Sequence, residues 1–202
     1  MLDSHIAQAI TQAVEDGFDR QMAFTKDLIR FPSIRGQEHS VQDFVYQALE
    51  KRGYAMTRFS MERDAIEAHE GGGKYSPEHS DAPIVIGTYS PRETHGKSLI
   101  LQSHTDVVPT GPSDMWRFDP FDPQIDGDWL YGRGGADMKA GHAAMISAMD
   151  ALTSAGLAPA ARVEIQSVVE EESTGNGALM TFLKGHTADA VLIPEPEEEM
   201  LV

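Results

Sequence analysis

Short apolar runs alternate with helix-like segments along this chain, and this alternation constrains its fold more than any other feature of the sequence. Four apolar runs bounded by turn residues are typical of buried strands: 83–89, 98–102, 162–169 and 190–193. Four segments show helical spacing of apolar residues: 3–30 (with a break near Gly17), 39–51, 138–152 and 177–184. Strands that alternate with helices predict an α/β fold, with a mostly parallel twisted sheet and helices on both faces.

The rest of the chain gives no sign of a second domain. Residues 61–82 contain few large apolar side chains, which predicts an exposed excursion from the fold. No repeat and no linker-like stretch interrupts the sequence. We therefore treat residues 1–202 as one unit.

Charge and composition limit the partners and the chemistry. Asp and Glu outnumber Lys and Arg by 32 to 16, and the net charge of −16 argues against nucleic acid and membrane partners. The chain has no cysteine, so a metal ion would have to be held by His, Asp and Glu. The first twenty residues lack a continuous apolar stretch, which predicts neither a secretory signal nor a membrane anchor and favours a cytoplasmic location.

Imidazole and carboxylate side chains stand where three of the predicted strands end and where one helix begins. They are His104 and Asp106, Glu170 to Glu172, Glu195, and Asp137. The carboxyl ends of parallel strands meet at one edge of a sheet, so we expect these side chains to lie close together. Each has an ordinary structural interpretation, such as a helix N-cap or a solvated turn, but the ordered set favours Zn, Mn or Co, with two ions sharing a carboxylate.

The spacing of His104 and Asp106 predicts that the Asp106 carboxylate orients the His104 imidazole. Residues two apart in an extended chain point to the same face, and a ligating imidazole usually donates its other N–H to a carboxylate. The other seven histidines show no partner pattern, and we interpret them as surface or structural residues. Phosphate-loop, calcium-loop and serine-hydrolase motifs are absent.

Four motifs carry a resemblance to a known family. They are SHTDVVP, WRFDPFDPQIDGDWLYGRGGADMKAG, VVEEESTGNGA and ADAVLIPEP. Together they resemble the metal-dependent amidohydrolase and exopeptidase family of acetylornithine deacetylase, which also includes succinyl-diaminopimelate desuccinylase, aminoacylase and glutamate carboxypeptidase. The resemblance covers roughly residues 83–196, with Ala140 standing where the family usually has Gly.

The resemblance implies a role for each motif residue. His104 would ligate the first of two zinc ions, with Asp106 orienting it and Glu195 completing its shell, and Asp137 would bridge both ions. Co²⁺ or Mn²⁺ are the alternatives to zinc. The family pattern of an acidic residue before two glutamates assigns Glu170 to the leading position, Glu171 to the general base and Glu172 to the second metal. A register shifted by one residue is the alternative assignment.

The activity implied is hydrolysis of the amide bond of N-acyl amino acids, acetylornithine deacetylase-like, with a metal-bound water as nucleophile. A small dipeptidase or carboxypeptidase of the same family is the alternative, and a truncated, non-catalytic metal-binding module is a third interpretation. The resemblance implies that residues 1–202 are the N-terminal part of the family's metal-binding catalytic domain. Its C-terminal catalytic segment, which carries a further metal-binding histidine, and its inserted dimerisation domain have no counterpart in these residues. We therefore expect the 202-residue segment alone to be inactive, and the homodimer to form through the absent domain.

Overall fold

A computed structural model describes residues 3–197, so the two ends of the predicted unit 1–202 lie outside the described part. The described residues form five α-helices: α1 (Ser4–Ile29), α2 (His39–Glu50), α3 (Arg63–Glu67), α4 (Ala140–Ser154) and α5 (Asn176–Leu183). They also form seven strands: β1 (Ala55–Phe59), β2 (Ile84–Tyr89), β3 (Leu99–His104), β4 (Gln124–Asp126), β5 (Trp129–Tyr131), β6 (Val163–Val168) and β7 (Ala190–Leu192).

Five of these strands form the central sheet, in the order β1-β2-β6-β3-β7. Strand β2 is antiparallel to both of its neighbours, whereas β3 is parallel to both β6 and β7. Four of the five strands therefore run in one direction, which confirms the mostly parallel sheet. Strands β4 and β5 form a separate antiparallel hairpin.

Helices cover both faces of the sheet, as the sequence predicts. Successive side chains of a strand point to opposite faces, and β2 shows this alternation. Val85 packs in the core beneath α1, α2 and α4, while Ile84 and Ile86 pack on the other side with Ile66 of α3 and Met180 of α5.

Two local predictions are wrong. Gly17 does not interrupt α1, which runs unbroken from Ser4 to Ile29, because one glycine inside a helix costs only about 1 kcal/mol relative to alanine. Residues 61–82 are not simply exposed, since Ile66 of the short helix α3 and Ala82 are fully buried. No helix among residues 3–197 has the length and apolar character needed to cross a bilayer.

Candidate metal centre

His104 is the last residue of β3 and lies at the rim where β3, β6 and β7 end. Its side chain is buried, and its Nδ1 lies 2.9 Å from the backbone carbonyl oxygen of Asp106. A carbonyl oxygen can only accept a hydrogen bond, so Nδ1 carries a hydrogen. In the neutral ring, the lone pair is therefore on Nε2, which faces the centre of the rim.

Carboxylates surround the Nε2 atom of His104. Asp137 Oδ1 lies 3.1 Å away, and Glu171 Oε2 and Glu195 Oε1 each lie 3.6 Å away. One ligand atom from each of His104, Asp137 and Glu172 also lies within 4.8 Å of the other two. The structure thus brings the four predicted ligands and the predicted base to one place.

Asp137 and Glu195 reach the centre through backbone that is not regular. Asp137 precedes α4, which begins at Ala140, and is extended, with φ −111° and ψ 100°. At Gly141, a Cβ atom would lie only 2.3 Å from the carbonyl oxygen of Pro194. The glycine allows α4 to approach the segment that carries Glu195.

Asp106 touches both His104 and the backbone of Glu172. Its Oδ1 lies 3.5 Å from His104 Nδ1, and its Oδ2 accepts a 3.1 Å hydrogen bond from the backbone N–H of Glu172. β3 ends at His104, so Asp106 lies two residues past the strand, just before the isolated bridge that Val107 forms with Ile34. Its carboxylate lies next to the His104 ring, as the spacing of the two residues predicts.

The carboxylates change the protonation of His104. Burial by itself would lower its pKa, but the nearby Asp106 carboxylate, together with the charges of Glu171 and Glu195, raises the pKa to about 9. The surrounding acids therefore favour positive charge at the position of this ring.

The acids themselves are crowded. Burial raises the pKa of Glu172, and the charge of Asp137 raises it further. Burial likewise raises the pKa of Glu195, with His104 opposing and Asp137 adding to the shift. One buried Asp106 oxygen, Oδ1, has no hydrogen-bond partner. This excess of oxygen donors and negative charge around one imidazole fits a divalent metal centre.

Two nearby basic side chains do not join the centre. Lys139 is fully buried, its ammonium donates a 2.9 Å hydrogen bond to the Phe31 carbonyl oxygen, and burial lowers its pKa to about 7 although the charge of Asp106 opposes this. His142 is buried with its Nδ1 2.6 Å from the Ser103 hydroxyl, so it has the structural role that the sequence analysis assigned to it.

Glu170 differs from the two glutamates that follow it. It is fully buried, and Arg35 donates two hydrogen bonds to its carboxylate. The motif places Glu170 in the leading position, but no local pattern in the sequence links it to Arg35, which lies 135 positions away.

Sequence comparisons relate this chain to a family of peptidases. Residues 100–200 match the sequence profile described as peptidase family M20/M25/M40. The chain is 34% identical over 181 residues to a succinyl-diaminopimelate desuccinylase of Dinoroseobacter shibae, a match that covers 87% of this chain and 42% of that protein. It is 30% identical over 180 residues to the same-named protein of Rhodospirillum centenum, with the same coverage of 87% and 42%. The chain thus spans less than half the length of these relatives.

Solved structures share the fold at low sequence identity. A dipeptidase from Saccharomyces cerevisiae superposes with a TM-score of 0.73 at 19% identity, covering 95% of this chain and 41% of that one. Human carnosine dipeptidase 1 superposes with a TM-score of 0.74 at 18% identity, covering 92% and 40%. These two structures support the architecture described above.

Proposed function

The chain belongs to peptidase family M20/M25/M40, and from this membership we propose that the protein is a metal-dependent hydrolase of the amide bond in N-acyl amino acids. One observation carries the proposal: three carboxylate oxygens, from Asp137, Glu171 and Glu195, lie within 3.6 Å of the Nε2 atom of buried His104. A solvated surface cluster would not bury its imidazole and orient it through a backbone carbonyl.

The donor set supports a proposal for which residue would hold which ion. We propose that His104 and Glu195 hold one divalent ion, that Glu172 holds a second, and that Asp137 contacts both; zinc is the first candidate, with Co²⁺ or Mn²⁺ as alternatives. When bound, such ions supply Lewis acidity that lowers the pKa of a water and polarises the scissile carbonyl.

Two further carboxylates, those of Glu171 and Asp106, have roles other than metal binding in this proposal. Glu171 is about half exposed, with 48% of its side chain accessible, so a water molecule can reach its carboxylate. It can take a proton from that water and return it to the leaving amine nitrogen. Asp106 holds His104 in one tautomer and fixes the backbone of Glu172, which keeps both side chains directed at the centre.

The names of the relatives guide the choice of substrate. The similar curated proteins are named succinyl-diaminopimelate desuccinylases, so we propose N-succinyl-diaminopimelate as the first compound to assay. N-Acetylornithine, which the motif resemblance suggests, is the second. Dipeptides represent the alternative that the protein is a small dipeptidase or carboxypeptidase.

A substrate panel tests the proposal. The protein encoded by the complete reading frame, loaded with zinc or cobalt, is assayed for amine release from N-succinyl and N-acetyl amino acids and from dipeptides. Glu171→Gln, which keeps shape but cannot accept a proton in the same way, is the matched control. Hydrolysis of N-acyl amino acids supports the proposal, cleavage of dipeptides alone favours the alternative, and metal binding without turnover of any compound favours a non-catalytic metal-binding module.

Three further expectations stay predictions. They are the cytoplasmic location, the homodimer formed through a further domain, and the inactivity of the 202-residue segment by itself. The last rests on ligand count, because only Asp137 and Glu172 are assigned to the second ion here, whereas catalytic zinc sites typically have three protein ligands.

A further inference from the structure

The Glu170 carboxylate accepts several hydrogen bonds, although Glu170 is adjacent in sequence to the proposed base, Glu171. Both of its carboxylate oxygens are engaged: Arg35 donates from Nε to Oε1 at 2.6 Å and from an Nη atom to Oε2 at 2.8 Å. The backbone N–H of Ser80 donates to Oε1 at 2.8 Å, and the Thr174 hydroxyl donates to Oε2 at 3.0 Å. None of these donors is a candidate metal ligand, so the Glu170 carboxylate is occupied by contacts outside the proposed ligand set.

The backbone of Glu170 starts the loop that carries Glu171 and Glu172, which we call the glutamate loop (residues 170–175). Glu170 has a φ of +67°, a left-handed conformation that is unfavourable for a residue with a Cβ and persists only where the surroundings impose it. Its carbonyl oxygen accepts hydrogen bonds from the N–H groups of Thr174 at 3.0 Å and Gly175 at 2.8 Å. These two hydrogen bonds tie the end of the glutamate loop back to its first residue, Glu170.

Arg35 supplies the positive charge for this buried carboxylate. His79 Nε2 lies 3.4 Å from Glu170, but it also accepts a 3.0 Å hydrogen bond from the Asn176 amide. His79 Nδ1 lies 3.2 Å from the carbonyl oxygen of Ser80, so both ring nitrogens have partners other than Glu170, whereas Arg35 donates to both Glu170 oxygens. The paired cation is therefore Arg35.

The segment that carries Arg35 also lies against the loop that follows β3. The N–H of Val107 donates a 3.0 Å hydrogen bond to the Ser33 carbonyl oxygen, and Ile34 and Val107 form an isolated parallel bridge. This loop contains Asp106, which contacts His104 and Glu172. The segment 33–35 therefore contacts both loops that present candidate ligands, through Ser33 and Ile34 on one side and Arg35 on the other.

We propose that Arg35 is a positioning residue for the metal centre, acting through its paired hydrogen bonds with Glu170 to fix the glutamate loop and so the carboxylates of Glu171 and Glu172. This assignment rests on the proposed function, and it adds a residue from the turn between α1 and α2 that does not itself touch a metal ligand side chain. Partners at one remove from metal ligands typically change metal affinity or activity by about 10–100-fold when replaced.

The test compares two bidentate arginine–carboxylate pairs that share hydrogen-bond geometry, although the Glu170 carboxylate is fully buried and that of Asp150 is 40% exposed. Arg52 donates from Nε to Asp150 Oδ1 at 2.9 Å and from an Nη atom to Oδ2 at 2.9 Å, on residues that do not contact the centre. Metal-free protein from the complete reading frame is titrated with Co²⁺, and the visible absorption of the bound ion reports affinity and coordination. Arg35→Met should weaken binding of one Co²⁺ ion by roughly 10–100-fold and alter its spectrum, whereas Arg52→Met should leave both unchanged.

Arg35→Lys provides the second variant, since it keeps the charge but cannot form two parallel hydrogen bonds, and it decides the matter if Arg35→Met does not fold. Intermediate Co²⁺ affinity of Arg35→Lys, measured at a temperature at which the variant is folded, supports the assignment. Equal Co²⁺ affinity in the unsubstituted, Arg35→Met and Arg35→Lys proteins would overturn it while leaving the proposed function intact. Equal weakening by Arg52→Met would also overturn it, by showing a general loss of stability. If the unsubstituted protein binds no Co²⁺, the proposed function fails and this assignment fails with it.

Discussion

Strands β6 and β7 end at the same metal centre but are supported in different ways. All six residues of β6 are buried, and the strand pairs with β2 on one side and β3 on the other. All three residues of β7 are exposed, and within residues 3–197 this strand pairs with β3 alone. Glu171 and Glu172 follow the buried strand, and Glu195 follows the exposed one.

The difference shows that the carboxylates of one centre can be held in place in two ways. The glutamate loop after β6 is held by a buried carboxylate, an arginine and a closed turn, so its geometry is built into the packed core. Glu195 depends on a short edge strand and on the close approach of Gly141 to Pro194. We therefore expect the end of β6 to be rigid and sensitive to substitution. We expect the end of β7 to hold its ligand, Glu195, less firmly.

The largest expected effect concerns the base at the end of β6. Glu171→Gln in the complete protein should retain its metal ions but lose about 10²–10⁴-fold in turnover, because the amide cannot accept the proton from water. Turnover and bound metal, measured on the same preparation, check this.

The ligand variants sharpen the same comparison. Glu172→Gln and Glu195→Gln should each reduce metal occupancy, in contrast to Glu171→Gln. If Glu171→Gln loses metal while Glu172→Gln keeps it and loses turnover, the register along the three glutamates is shifted by one residue.

The next effect is on stability. Ile165 in the middle of β6 is fully buried, and Ile165→Ala should lower the free energy of unfolding by about 2–5 kcal/mol through lost burial and the cavity left behind. Val191 in β7 is 54% exposed, and Val191→Ala should change the free energy of unfolding by less than about 0.5 kcal/mol. Urea denaturation of both variants measures this. A large loss for Val191→Ala would mean that β7 is covered in solution, and the comparison between the strands would break.

The smallest expected effect is on acid stability. Burial alone would raise the pKa of Glu170, but the hydrogen bonds from Arg35 and Ser80 outweigh it and lower the pKa below its ordinary value of 4.5. A group with a lowered folded-state pKa stabilises the fold above its unfolded pKa, and this stabilisation disappears as the pH falls through the folded value. Glu170→Gln should therefore flatten the loss of stability below pH 4.5, measured in chelator-treated protein. An unchanged pH profile would mean that Glu170 is not ionised in the fold.

The regular parts of this fold could be predicted because they depend on local patterns. The apolar runs at 83–89, 98–102, 162–169 and 190–193 correspond to β2, β3, β6 and β7. The convergence of His104 with the carboxylates also followed from strand order, since parallel strands end at one rim.

Other parts could not be predicted because they depend on contacts between distant residues. Strand β1 is half exposed, with only two of its five residues partly buried, so it lacks a clear apolar run. Arg35 meets Glu170 across 135 positions, and the contact of Asp106 with Glu172 spans 66. Such pairs appear only when the fold brings the loops together.

The most direct test of the central claim is the metal content of the protein. Elemental analysis of protein from the complete reading frame, purified without chelator and then incubated with zinc, should find up to two divalent ions per chain, and His104→Ala should reduce that number. If zinc, cobalt and manganese all fail to bind even when added, the convergence of His104, Asp137, Glu172 and Glu195 is not a metal centre.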